Sequence, residues 1–109
     1  MATQGIVSIT DGGKVILKAV AGCDGYNASK LVAKIKTKNL RSAMEVYDAA
    51  VEVGFGCSDD LVVMTRRKTL YRGEGKIPKR YRATFADPKF NPRWVHGTAS
   101  HTEVIEIGD

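Results

Sequence analysis

Residues 66–82 read Arg-Arg-Lys-Thr-Leu-Tyr-Arg-Gly-Glu-Gly-Lys-Ile-Pro-Lys-Arg-Tyr-Arg. Eight of these are Lys or Arg and one, Glu74, is acidic. The whole chain carries a formal charge of +5, so the remainder is slightly acidic. Cations that neutralise phosphates release condensed counterions, and this drives binding whatever the base sequence. Tyr71 and Tyr81 stand among the cations and could stack on unpaired bases. The chemistry expected is contact with nucleic acid, another polyanion or an acidic protein surface. It would run through Arg66, Arg67, Lys68, Arg72, Lys79, Arg80 and Arg82, with Tyr71 and Tyr81. The competing reading is a solvated loop and sheet edge, where cations discourage strand-to-strand pairing. No RNA-recognition, KH, helix-turn-helix or zinc-finger signature accompanies the stretch.

Two Cys and two His offer further chemistry. Cys23 and Cys57 lie 34 positions apart, and His96 and His101 follow later. Structural zinc usually shows close CxxC-type pairs, which are absent, so no metal site and no cofactor are expected. A thiol at a helix N-terminus can have a lowered pKa, and a Cys–His pair would suit a small hydrolase. Any chain with two of each residue offers such pairings, so no catalytic residue is assigned. Two cysteines make no disulfide framework either, and both are expected to be free thiols.

The loop Gly22-Cys23-Asp24-Gly25-Tyr26-Asn27 joins a strand to a helix. Amides at a helix N-terminus attract anions. The spacing matches neither GxGxxG nor GxxxxGK[ST], and Asp24 would repel a phosphate. A tight turn with Asp24 or Asn27 capping the helix is the better reading.

These residues must be positioned by one domain, residues 1–109. A chain of this size with 43% apolar residues buries a modest core. No apolar run approaches the roughly 18 residues of a membrane span. Met1–Gly5 has neither a positive n-region nor an apolar h-region, so a cytoplasmic location and no membrane contact are expected.

Residues 5–10 and 14–21 read as a hairpin about Asp11-Gly12-Gly13, residues that tolerate the positive φ of tight turns. In the second strand Val15, Leu17, Ala19 and Ala21 alternate with Ile16, Lys18 and Val20. Both sets are largely apolar, which suits a central strand. Ala28, Leu31, Val32 and Ile35 fall at helical spacing over 28–38, beside a stripe of Lys30, Lys34, Lys38 and Arg41. Ser42-Ala43-Met44-Glu45 is a capping box and opens a helix over 43–53. Ala43, Met44, Val46, Tyr47, Ala50, Val51 and Val53 form its apolar face. Glu45, Asp48 and Glu52 lie opposite, and Gly54 stops the helix.

Leu61–Thr65 and Thr69–Arg72 read as a second hairpin with Arg66-Arg67-Lys68 at its tip. Residues 73–93 hold all three prolines and read as irregular, with at most a helical turn near Tyr81–Phe85. Trp94–His96 and Thr102–Ile107 read as closing strands. The expected fold is α+β: an antiparallel sheet of about four to six strands, two helices on one face, in the order ββααββ, irregular segment, ββ. Leu17, Leu31, Ile35, Met44, Tyr47, Val51 and Val63 are its expected core.

Met-Ala-Thr-x-Gly-Ile-Val, a hairpin, then Cys-Asp-Gly-Tyr-Asn before a helix resembles a set of small uncharacterised bacterial and phage proteins. Many of those begin Met-Ala-Thr-Arg and carry aromatic-Asp-Gly-Tyr-Pro after the second strand. The likeness covers about the first third of the chain, with Gln4, Cys23 and Asn27 as departures. It implies a bacterial or phage origin and carries no activity.

The function expected is therefore a non-catalytic binding module of the polyanion type. The alternatives are a structural protein that self-associates, as a homodimer for example, through a sheet edge, and the Cys–His hydrolase.

Overall fold

The computed structural model describes residues 3–22, 24–56, 61–71, 85 and 101–107. The first hairpin forms where the turn chemistry puts it. Strands β1 (Gly5–Asp11) and β2 (Lys14–Ala21) pair antiparallel. Gly12 and Gly13 reverse the chain at φ 61° and 83°, values a residue with a Cβ rarely adopts.

The alternation expected along β2 does not run unbroken. Ile9 faces Leu17 but Thr10 faces Val15, so Ile16 is the extra residue of a β-bulge. Ile16 and Leu17 both pack towards the helices, and Val15 joins Lys18 and Val20 on the opposite face. A bulge re-aims the side chains beyond it. Here it sends Val15 to the face where a cavity lies.

Helix α1 (Ala28–Lys38) and helix α2 (Ala43–Val53) match their expected spans. Ser42 caps α2: its Oγ accepts from the Glu45 N–H at 3.2 Å, and the Ser42 N–H donates to the Glu45 carboxylate at 3.3 Å. The same box holds the Glu45 carboxyl below its ordinary range, chiefly through the Ser42 hydroxyl. Its contribution is therefore whole above the ordinary carboxylate range and fades as pH falls through the lowered value. Ser42→Ala should cost about 1 kcal/mol in urea unfolding at neutral pH, and less at strongly acidic pH. Gly54 ends α2 at φ 78°.

The cap of α1 departs from expectation. Neither Asp24 nor Asn27 makes a side-chain capping bond. The Asn27 amide instead donates to the Gly54 carbonyl at 2.9 Å and ties the start of α1 to the end of α2. The lysine and acidic stripes meet at one point, where Lys34 Nζ lies 2.7 Å from Glu52.

Strands β3 (Leu61–Thr65), β4 (Thr69–Tyr71) and β5 (His101–Glu106) complete a sheet of order β4-β3-β2-β1-β5. The fold is α+β, as expected, but the sheet is mixed. β5 runs parallel to β1, with Ile105 beside Ile9. The chain leaves β4 at one edge and enters β5 at the other, and no hairpin links them. Their relative direction is thus set by a long connection, about which strand periodicity is silent. The expected strand at Trp94–His96 and the irregular stretch other than Phe85 lie outside the described residues.

The core lies between the sheet and the helices. Leu17, Leu31, Ile35 and Val63 are fully buried there, and Tyr47 is half-buried against the same cluster. Met44 and Val51 are not core residues: they are 49% and 38% exposed. α2 turns Ala43, Val46, Ala49 and Ala50 inward instead. Small side chains let the helix sit close to the sheet, and the larger apolar residues at the flank are left outside. The second face of the sheet is also covered. Ile6, Val15, Val20, Val62 and Met64 are buried there with Phe85, and Lys18 is wholly buried on the same face and is not without a partner.

Candidate functional site

The three cations Arg66, Arg67 and Lys68 occupy the β3–β4 turn, and all three are exposed. The turn is locked by its flanks. The Thr65 N–H donates to the Lys68 carbonyl at 2.7 Å. The Lys68 N–H donates to Thr65 Oγ1 at 3.1 Å. Neither arginine has a positive φ, so the loop needs no glycine. A side-chain hydroxyl closing the turn on a backbone amide is the usual work of threonine at such a position. Two guanidinium groups and an ammonium are thereby presented on one short, rigid support.

The neighbouring turn adds to this end of the sheet. β2 pairs with both β1 and β3, with Leu17 beside Thr65, so the β1–β2 turn lies next to the β3–β4 turn. Lys14, the first residue of β2, is exposed. The N–H groups of Gly12 and Gly13 donate to the Glu106 carboxylate at 3.1 and 2.6 Å. Successive amides of a positive-φ turn form a concavity that favours an anion, and here the chain's own carboxylate fills it. Glu106 therefore fastens the end of β5 to the hairpin. Glu106→Ala should lower stability by about 1 kcal/mol, measured as a shift in the urea midpoint.

Between the two turns is a cavity of about 330 Å³, lined by Gly13, Lys14, Val15, Arg66 and Phe85. Its cations come from different hairpins, and its apolar wall from Val15 and Phe85. Sequence reasoning missed Lys14. The signal available was its place just after a glycine turn, but only the strand order puts that turn beside Arg66.

A second, shallower depression of about 430 Å³ lies along α1, against Lys30, Ala33, Lys34, Thr37, Lys38 and Val53. Glu52 pairs with Lys34 there, and its carboxyl is held below the ordinary range chiefly by the hydrogen bond from Lys34. That face carries its own counter-charge and is the poorer anion surface.

The remaining expected site residues fall as follows. Tyr71 is half-buried on β4, opposite Val62, and packs against the second-face cluster, so its ring is partly committed to packing. Arg72, Lys79, Arg80, Tyr81 and Arg82 lie outside the described residues, as do Cys23, Cys57 and His96. His101 is exposed at the start of β5, and its N–H donates to the Gln4 carbonyl at 3.2 Å. In the Gly22–Asn27 loop, the Gly25 N–H is taken by the Thr3 carbonyl at 2.7 Å and the Asn27 N–H by the Asp24 carbonyl at 3.1 Å. Those amides bond within the fold, which favours the structural reading of that loop. No helix among the described residues is long and apolar enough to cross a membrane.

No protein-family model, no curated protein and no solved structure matches this chain.

Proposed function

We propose that this protein is a non-catalytic binding module that contacts nucleic acid, or a polyanion of similar charge density, through the β3–β4 turn. The observation that carries this reading is the exposed run Arg66-Arg67-Lys68 on a turn locked at both flanks. Among the described residues Arg67 has no side-chain hydrogen bond or ion pair, which leaves its guanidinium to a ligand. Lys14 on the adjacent turn extends the same charge. Arg72, Lys79, Arg80 and Arg82 follow closely in sequence, and the proposal includes them as further contacts, with Tyr71 and Tyr81 at the margin. The proposal includes a bacterial or phage setting, supported by the resemblance of the first third of the chain, and a cytoplasmic location.

A contact made by cations to phosphates has a defined salt response. Each phosphate neutralised contributes a slope of about −0.9 in log K against log salt for duplex DNA, and about −0.7 for a single strand. Replacing Arg66, Arg67 and Lys68 together with Gln should remove at least tenfold in affinity for DNA or heparin at low salt and flatten that slope by two to three such contacts. Thermal stability should change by less than about 0.5 kcal/mol, as for exposed residues generally. The readouts are fluorescence anisotropy across a salt series and thermal unfolding. Unmodified protein that shows no salt-sensitive binding to DNA, RNA or heparin at low ionic strength would sink the proposal. A concentration-dependent dimer in light scattering would then favour self-association.

A further inference from the structure

The depression along α1 is a poor seat for a polyanion, because Glu52 stands beside it. Its shape and lining suit a different occupant. It holds about 430 Å³ among Lys30, Ala33, Lys34, Thr37, Lys38 and Val53, and all six belong to helices that are described in full. Lys34 is engaged with Glu52. Among the described residues Lys30 and Lys38 have no side-chain hydrogen bond or ion pair. An occupant needs an apolar side chain for the floor and a carboxylate for the free lysines.

The chain carries such a surface itself. α1 holds four lysines and no acid, whereas α2 holds Glu45, Asp48 and Glu52 and no base. On α2, Met44, Asp48 and Val51 fall at i, i+4 and i+7, which is one stripe of a helix. All three are exposed. α1 buries Ala28, Leu31 and Ile35, and α2 buries Ala43, Val46, Ala49 and Ala50. The groove and the stripe therefore lie on sides turned away from the sheet. We infer that two copies of this chain pair through their helices, α2 of each lying in the groove along α1 of the other. Met44 enters the depression over Ala33 and Val53, and Asp48 meets the lysines that flank it. An unbranched thioether suits such an irregular seat. A surface that holds both halves of a complementary pair closes on itself about a two-fold axis, so the contact is made twice. Glu52 stays with Lys34 inside each copy. Exposed charge pairs contribute little each, so the dimer exchanges with monomer at micromolar concentrations or above. The pairing goes beyond the polyanion role and does not rest on it.

The test is sedimentation equilibrium of the purified chain, free of nucleic acid, over a concentration series at low and high salt. A dimer that weakens with salt is expected. Lys30→Glu with Lys38→Glu, and separately Asp48→Lys, should each weaken it at least tenfold, because like charges then face each other. Mixing these two variants should restore it: one of the two contacts is remade with its signs reversed, and the other is unchanged. Met44→Ala should weaken the dimer roughly tenfold or more, the scale of one buried side chain lost. At concentrations too low for pairing, all these variants should keep the urea midpoint of the unsubstituted protein, which separates loss of contact from loss of fold. A protein that stays monomeric throughout leaves the groove to some other protein and overturns the inference. So does a dimer that both charge variants retain, since the contact then lies elsewhere, at a sheet edge for example. So does a mixture of the two folded variants that stays monomeric.

Discussion

Gly25→Ala should destabilise the fold by about 3 kcal/mol or more, at the upper end of what overpacking costs. A Cβ at Gly25 would overlap the carbonyl carbon of Gln4 and the nitrogen of Gly5. Both are backbone atoms, and no rotamer change can clear them. The approach is mutual: a Cβ on Gly5 would lie 2.7 Å from the Gly25 Cα and 2.9 Å from the Phe55 ring. Phe55 is itself fully buried, so its ring has nowhere to retreat. The contact is held by the 2.7 Å bond from the Gly25 N–H to the Thr3 carbonyl. Small domains have only about 5–15 kcal/mol in total, so the loss is large. Urea unfolding of Gly25→Ala and Gly5→Ala measures it. A midpoint within error of the unsubstituted protein for Gly25→Ala would show that the two backbones do not meet in solution.

Leu31→Ala and Ile35→Ala should each cost about 2–5 kcal/mol, the lost transfer energy plus the cavity left behind. Both side chains are fully buried and belong to the cluster that joins α1 to the sheet. The matching control is on α2. Met44→Ala and Val51→Ala remove side chains of similar size from exposed positions, and each should change stability by no more than about 0.5 kcal/mol. Equal losses from Met44 and Leu31 would mean that α2 is rotated from the register described here. The four midpoints thus test the helix faces without reference to function.

Much of the local structure was legible in the residues themselves. Both helix spans, the capping box at Ser42, the Gly54 stop and the glycine turn at 12–13 depend on short-range chemistry: periodicity, a hydroxyl beside an amide, a missing Cβ. The exposed basic tip at 66–68 was legible for the same reason, since two β-type runs with a charged gap define a hairpin. The loop at 22–27 is a turn, as its residues suggest, but the capping expected of Asp24 or Asn27 does not form. Asp24 takes the left-handed conformation at φ 57°, and Gly25 serves close approach, because its own φ is not in that region.

Tertiary structure alone decided the rest. Ala43, Met44, Val46, Tyr47, Ala50, Val51 and Val53 make an apolar arc wider than a sheet can cover, and periodicity cannot say which part of it turns inward. Packing chose the small residues, since they permit the closest approach. The bulge at Ile16 reversed the expected face of Val15, an outcome fixed by pairing with β1 and invisible in β2 read alone. The parallel placement of β5 followed from a crossover between opposite edges. Lys14 and Arg66 lie 52 positions apart in the chain. They share a cavity only because β2 pairs with β3, and strand order is a property of the assembled sheet, not of any segment within it.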